Sequence, residues 1–305
     1  MKNVLITGGA GNIGSKLAEQ LDSGGFNVVV VDNLLTGKKE NLHNSSKVKF
    51  ITLDVNNLQD LQKVFETFKF EYVFHYAAVV GVQRTLENPL KVLGDAEGIQ
   101  NILKLSVQHK IKRVFYSSSS EIYGEPFEVP QNEDTTPLNS RLPYAIIKNL
   151  GEAYFKTFWD RYGLQFTIFR FFNTYGPNQS EEFVVPNFLK RALRNEDIII
   201  NGDGLQTRTF MYVKDNVDIC SRILSEDLFV NDVVNIGSEI QYTIKELAIL
   251  VKEITGSTSK ILHVNPLAEG DMTRRCPDIS KISKIKSDLI PIEKGLELMM
   301  RANNC

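Results

Sequence analysis

The sequence predicts an α/β fold built on a doubly wound parallel sheet, and three observations predict it. Short apolar runs rich in Val, Ile and Phe alternate with stretches of helical spacing through the first half of the chain. That order is the one expected of a parallel sheet covered on both faces. The first run, Val4-Leu5-Ile6-Thr7, leads into glycines spaced G-x-x-G-x-x-G at Gly8, Gly11 and Gly14, and a helix-like stretch follows from Ser15 to Leu21. The second run, Val28 to Val31, ends in an acid, Asp32.

Strand, glycine turn, helix, strand, acid is the context a dinucleotide site requires. Gly8 and Gly11 let the backbone turn and approach a pyrophosphate, and Gly14 lets the helix pack close to the strand. The helix N-terminus offers free N–H groups and partial positive charge to the phosphates. Asn12 and Ile13 lie inside this turn and are candidate contacts with it. Asp32, about 20 residues past the glycines, is placed to accept bonds from both adenosine ribose hydroxyls; Asn33 follows it. A carboxylate there repels a 2′-phosphate, so the expected cofactor is NAD rather than NADP.

The next elements repeat the pattern. Val48–Leu53 reads as a strand ending in Asp54-Val55, Leu58–Phe68 as a helix, and Tyr72-Val73-Phe74-His75 as a strand before Ala77-Ala78. Ala96–His109 reads as a helix and Val114 to Ser117 as a strand. Asp54 has two readings that can hold together: an N-cap of the helix at Leu58, or an acceptor for the adenine amino group with Val55 donating from its backbone. His75 has no metal-ligand partners in sequence and reads as structural. Ligands of such sheets bind past the strand C-terminal ends, where the glycines, Asp32, Asp54, Ala77-Ala78 and Ser117 to Glu121 all fall.

Composition sets bounds. The chain has 305 residues, 42% hydrophobic and 24% charged, with a formal net charge of −2. This is an ordinary globular composition without a basic footprint for nucleic acid. No apolar run approaches the roughly 18 residues of a membrane span. The first residues lead straight into a strand, so no signal peptide is expected. The three cysteines, Cys220, Cys276 and Cys305, are far apart and suggest neither a disulfide framework nor a zinc site. The expectation is a cytoplasmic protein without a metal.

A serine run, Ser117 to Ser120, then Glu121, follows the strand at Val114; such a run is also what a solvated turn looks like. Pro143-Tyr144 opens a helix through Lys148 to about Tyr162. Tyr144 and Lys148 are four apart and share a helix face. Tyrosine is a poor base at its free pKa of about 10, and a nearby ammonium favours the phenolate.

With these residues in place, the chain resembles an extended short-chain dehydrogenase/reductase of the nucleotide-sugar epimerase/dehydratase kind. The resemblance runs from Lys2 to about Lys284. It rests on Gly8–Gly14, Asp32, Asp54-Val55, Ala77-Ala78, Ser119, Tyr144 and Lys148. It continues through Arg170 to Pro177 (RFFNTYGP), Gly202 to Phe210 (GDGLQTRTF) and Val213-Lys214-Asp215. It implies a Rossmann-type sheet in residues 1–172, with a returning segment near 213–237. It further implies a smaller, interleaved substrate domain in 173–305 and a nucleotide-diphosphate sugar in the cleft between them. Ser119 and Tyr144 would meet the sugar hydroxyl at C4, with Ser120 beside them. Tyr144 would take the proton while hydride passes to NAD, and Lys148 would hold the nicotinamide ribose. Asn173 and the arginines Arg208 and Arg275 would face the diphosphate, and Asn187 the base or its ribose. A homodimer through a four-helix bundle, built on the helices around Glu97–His109 and Tyr144–Tyr162, is also implied.

One departure stands out. Relatives carry Asn in an Asn-x-x-Gly-Thr pattern where this chain has Asp95-Ala96-Glu97-Gly98-Ile99, so hydrogen bonding near the nicotinamide must differ. The second half reads as a helix at Phe183–Arg194, strands at Ile198–Ile200, Asp232–Ile236 and Ile261–Val264, and helices at Asn216–Leu224 and Ile244–Ile254. A last helix is expected to open at Pro277-Asp278-Ile279.

The resemblance implies a shared first step, oxidation at C4 to a 4-keto sugar, and leaves the second open. Ser120 stands where 4,6-dehydratases acting on dTDP-glucose carry Asp, which argues against that subclass. Ser120-Glu121 is closer to GDP-mannose 4,6-dehydratases and UDP-glucuronate decarboxylases, and Arg141 and Arg275 resemble the decarboxylases. Ala145-Ile146 departs from the decarboxylases. An acid at Glu121 can remove a proton from C5, whereas epimerisation needs no such base. The expectation is 4-epimerisation, with dehydration or decarboxylation through Glu121 as the alternative. A net dehydrogenase and a non-catalytic dinucleotide-binding regulator remain as further readings.

Overall fold

The computed structural model describes residues 2–266 and 272–303. The first half forms β1 (Asn3–Thr7), α1 (Asn12–Ser23), β2 (Asn27–Asp32), β3 (Val48–Thr52), α2 (Leu58–Thr67) and β4 (Tyr72–His75). It continues with α3 (Val82–Glu87), α4 (Pro89–Leu93), α5 (Asp95–Gln108), β5 (Arg113–Ser119), α6 (Pro143–Tyr162) and β6 (Gln165–Phe171). Then come β7 (Thr174–Tyr175), α7 (Val184–Leu193), β8 (Ile198–Asn201), β9 (Thr207–Thr209), β10 (Met211–Tyr212) and α8 (Val213–Ser225). The chain closes with β11 (Asp232–Ile236), β12 (Gln241–Thr243), α9 (Ile244–Thr255), β13 (Ile261–Val264) and α10 (Ile292–Asn303).

Seven strands form one parallel sheet in the order β11-β6-β5-β4-β1-β2-β3. The central stretches of the inner strands are apolar because both faces are covered. Val4, Ile6, Val28, Val30, Phe74, Phe115 and Phe169 point to one core, which includes Leu17 of α1 and Val217 of α8. Leu5, Val29, Val31, Val73, Val114, Tyr116 and Ile168 point to the other, with Leu61, Ile102 and Phe155. Alternation along each strand divides its residues between the two. Each such side chain fully buried contributes roughly 1.5–3 kcal/mol.

From β1 the chain winds outward through β2 and β3. From β4 it winds the other way through β5 and β6. The order therefore reverses between β1 and β4, which opens a crevice at their C-terminal ends. The remaining strands form three two-stranded pieces, β10-β7, β12-β9 and β13-β8, set among α7, α9 and α10.

Two expectations are corrected. Asp54 does not cap α2: its Oδ1 accepts from the Asn56 amide at 2.9 Å, and Asn57 is the cap, accepting from the Asp60 amide. No helix opens at Pro277. Pro277 bridges to Gln131, and Asp278 is tied to Asn132 Nδ2 and the Ser280 amide. These ties hold the backbone extended, and only a short 3-10 turn follows at Ile282–Lys284.

Candidate active site

The crevice is a cleft of about 340 Å³. At its floor Gly8 has φ +66, and a Cβ there would lie 2.6 Å from the Ala77 backbone nitrogen. Only glycine allows the turn after β1 to sit so close to the chain leaving β4. A Cβ on Gly14 would lie 2.5 Å from the Gly8 carbonyl oxygen, so α1 approaches the turn at backbone contact. Asp32, at the end of β2, accepts from the Ala10 amide at 3.0 Å and the Leu34 amide at 2.8 Å. Those two bonds fix the orientation of its carboxylate. Asn33 Nδ2 donates to Asp54 Oδ2 at 3.0 Å, and the buried Asn101 Nδ2 donates to the carbonyls of Val55 and Asn56, each at 3.1 Å.

The second wall carries the serine run, Glu121, Tyr144 and Lys148. Ser117 to Ser119 end β5, Ser120 follows, and all four are buried. Ser119 Oγ accepts from the Glu121 amide at 3.2 Å, capping a 3-10 turn at Ser120–Tyr123. Tyr144 and Lys148 lie one turn apart on α6, and both line the cleft. Lys148 Nζ donates to the Ser117 carbonyl at 2.6 Å and sits 5.7 Å from the Tyr144 ring centroid. Burial pushes Lys148 down to about 8, and the charge of Asp95 pulls it back up. Burial raises Tyr144 and the charge of Glu121 raises it further, while the Ser119 hydroxyl and Arg275 draw it down. Arg275 Nη1 lies 3.5 Å from Glu121 Oε1. Asp95, where relatives carry Asn, accepts from the Val79 amide at 2.8 Å, and burial raises its pKa. The carboxylate thus secures the loop Ala77–Val80 without an amide donor.

Behind this wall is a buried network. Arg170 grips both oxygens of Glu152 at 3.0 and 2.8 Å, and both side chains are 2% exposed. Its Nη1 donates to the Tyr123 hydroxyl at 2.8 Å and the Glu133 carbonyl at 3.1 Å. Glu152 also accepts from Ser118 Oγ at 2.7 Å. The serine loop is therefore anchored to α6 one turn beyond Lys148.

The cleft brings together Gly8, Gly11, Asn12, Ile13, Gly14, Asp32, Asn33, Asp54, Val55, Ala77 and Ala78 with Ser119, Ser120, Glu121, Tyr144, Lys148, Asn173 and Arg275. Two expected contacts lie elsewhere. Asn187, on α7, donates to the Glu181 carbonyl and accepts from Arg191; it is not part of the lining. Arg208, on β9, is buried and donates to the Thr207 carbonyl at 2.8 Å; it is not in the lining either. Arg141 is exposed and bonds Asn139. Sequence reasoning missed Arg84, which lines the cleft from α3, and Asn101. Neither carries a motif; each is an ordinary helix residue until the fold brings it to the site. Among the described residues no cluster of His, Cys, Asp and Glu is placed to hold a metal, and no helix is long and apolar enough to cross a membrane.

A dinucleotide fits these residues. The floor is bare backbone that any Cβ would obstruct, and Asn12 Oδ1, at the α1 N-terminus, is a buried acceptor with no donor among the described residues. Comparison with known proteins agrees. The family model described as "NAD dependent epimerase/dehydratase family" matches residues 4–237. A putative UDP-glucose 4-epimerase of Methanocaldococcus jannaschii is 35% identical, over 99% of each chain. A UDP-N-acetyl-alpha-D-glucosaminuronate decarboxylase of Bacillus cytotoxicus is 37% identical, over 93% of this chain and 91% of its own. The structure of the Thermotoga maritima UDP-glucose 4-epimerase with UDP-glucose superposes with a TM-score of 0.93 at 34% identity, over 99% of this chain and 98% of that one.

Proposed function

The chain belongs to the NAD-dependent epimerase/dehydratase family, and from that premise we propose that it oxidises C4 of a nucleotide-diphosphate sugar and completes a 4-epimerisation. It is an enzyme whose cofactor is NAD. When bound, NAD supplies the acceptor and later donor of the C4 hydride and brings a positive charge beside Tyr144. Tyr144, as phenolate, takes the proton of the C4 hydroxyl while Ser119 holds that oxygen. Lys148, one helix turn away, supplies the cation that favours the phenolate. The 4-keto sugar then turns over in the cleft, and Tyr144 returns the proton after addition to the opposite face. Asn173, Arg208 and Arg275 are assigned to the diphosphate side and Asn187 to the base or its ribose; of these, Asn173 and Arg275 are among the residues that line the cleft.

The observation that carries this reading is the Glu121–Arg275 ion pair, 3.5 Å across. A carboxylate neutralised by a guanidinium is poorly disposed to act as a free base at C5, and epimerisation needs none. A second reading rests on the same pair. If substrate displaces Glu121, Arg275 is placed to hold a sugar carboxylate and Glu121 is released as an acid/base, as decarboxylation or dehydration would need. The decarboxylase relative favours it.

The test is turnover by mass spectrometry with UDP-glucose, UDP-N-acetylglucosamine, UDP-glucuronate and GDP-mannose, each with NAD. Wild type, Glu121→Gln and Tyr144→Phe run side by side. A product of unchanged mass and altered retention, formed by Glu121→Gln and abolished by Tyr144→Phe, supports epimerisation. Loss of carbon dioxide or water, abolished by Glu121→Gln, supports the second reading. Undiminished turnover by Tyr144→Phe sinks both.

We assign residues 1–172 with 213–237 to cofactor binding and 173–305 mainly to the substrate. The assembly we infer is a homodimer. Ile99, Ile102, Leu103 and Leu105 of α5 are buried in this chain's own core, so the face available to a second copy is the outer one. Leu90 and Leu93 of α4 and Ile146, Leu150 and Trp159 of α6 are exposed apolar residues beside it. Sedimentation of wild type against Leu150→Glu checks it: a shift from dimer to monomer is expected.

A further inference from the structure

We propose that residues 176–182 form a strap across the cofactor cleft and that the Arg84–Glu182 ion pair is its catch, setting how long NAD stays bound. The proposal rests on the reading of the cleft as an NAD site that must keep its cofactor between two hydride transfers.

The strap's course is fixed by contacts at both ends. Where β7 ends, a Cβ on Gly176 would lie 3.0 Å from Asn12 Oδ1, so the chain leaves the strand directly over the glycine turn. Two residues on, Asn178 Nδ2 donates to Ser15 Oγ of α1 at 3.3 Å. Gln179 Nε2 donates back to the Thr174 carbonyl at 2.8 Å. Asn178, Gln179 and Ser180 line the cleft. At the far end the Glu182 carboxylate accepts from Arg84 Nη2, while Arg84 Nη1 donates to the Val80 carbonyl at 2.9 Å. The strap thus runs from the first turn of α1 to α3. In doing so it spans the α1 N-terminus, where a diphosphate is bound in sites of this kind.

Two further features suit a catch. Gly81 has φ +105, and a Cβ there would lie 2.7 Å from Glu182 Oε2; the bare backbone at Gly81 is what admits the carboxylate. The paired side chains are 22% and 39% exposed, so the bond can break without uncovering core. A second ion pair, Glu181–Lys190, ties the strap to α7, and the Asn178 and Gln179 bonds are neutral, so the Arg84–Glu182 pair is the salt-sensitive link between the strap and α3.

The test loads the protein with NADH, chases with excess NAD, and follows the loss of bound-NADH fluorescence. Arg84→Gln and Glu182→Gln should each release NADH about two- to fivefold faster, the range of a partly exposed ion pair. The double variant should be no faster than either single. The swap Arg84→Glu with Glu182→Arg should restore slow release, and the wild-type advantage should vanish in about 1 M salt. Slower release from Glu182→Gln would mean that Arg84 holds the diphosphate itself, and would overturn the catch. So would unchanged release in a variant that binds NADH normally. Wild type failing to bind NADH at all would instead overturn the cofactor reading, and the strap with it.

Discussion

Arg170→Met removes the cation at the centre of the network behind the serine loop. The loss can be worked from the contacts. Glu152 gives up two charge-assisted bonds, at 3.0 and 2.8 Å, and keeps only the one from Ser118 Oγ. The Glu133 carbonyl loses a donor, while the Tyr123 hydroxyl still donates to Asn235 Oδ1 at 2.8 Å. At 2.8 Å and an effective dielectric constant of ~20, the lost attraction has a ceiling of about 6 kcal/mol. Removing one partner of a buried pair is known to cost about 3–5 kcal/mol, because the other charge stays buried. We therefore expect Arg170→Met to cost about 3–5 kcal/mol, a large share of the ~5–15 kcal/mol that holds a domain folded. The double variant Arg170→Met/Glu152→Met removes both charges and should cost less than either single change. The assay is urea unfolding of the NAD-free protein, followed by far-ultraviolet circular dichroism. A cost for Arg170→Met below about 1 kcal/mol, or a double variant equal to the sum of the singles, would refute the reasoning.

Other expectations follow from the same contacts. In Gly14→Ala the new Cβ meets the Gly8 and Gly9 backbone at 2.5 and 2.6 Å, and no flexible side chain is there to yield. Calorimetric titration should show NAD affinity reduced at least about tenfold, with a stability cost of ~1–3 kcal/mol. Asp32→Ala should weaken NAD about ten- to hundredfold through lost charged hydrogen bonds and remove most of the preference over NADP; unchanged discrimination would rule out Asp32 as its source. Lys148 has a pKa of about 8 when folded, against 10.5 ordinarily. Between those values the unfolded chain holds a proton that the folded chain lacks, so stability rises with pH through that window and is flat below it. From pH ~7.5 to ~9.5 the wild type should therefore gain about 1–2 kcal/mol relative to Lys148→Met in paired urea titrations. A constant difference would show that the amine is not held down.

Much of this architecture could be read from the sequence because its signals are local. The glycine turn, the acid closing β2 and the Tyr144–Lys148 spacing each report on a few consecutive residues, and all of them line one cleft. What was illegible depends on tertiary partners. The cap of α2 is an exception: Asn57 stands directly before Leu58, where a capping side chain is expected, and its bond to the Asp60 amide is local. The sequence at Pro277 has the look of a helix start, yet Asn132, more than a hundred residues away, draws Asp278 into an extended path. Asn187 and Arg208 have the residue types for nucleotide contact, but residue type alone does not announce the bonds that Asn187 makes to Glu181 and Arg191 and Arg208 makes to the Thr207 carbonyl. Arg84 and Asn101 gain meaning only from what the fold brings against them.

The seventh strand has a consequence for how the chain is made. β11 pairs with β6 in register from Asp232↔Thr167 to Ile236↔Phe171, so the edge of the sheet is completed by residues emerging from the ribosome long after β6. At ~5–20 residues per second that interval is roughly 3–13 s. Throughout it, β6 is an unpaired apolar edge, the kind of surface that templates aggregation. The seven-stranded sheet thus cannot be completed until the chain has been synthesised through Ile236. A nascent chain stalled near residue 172 should need chaperone protection that one released after residue 237 does not.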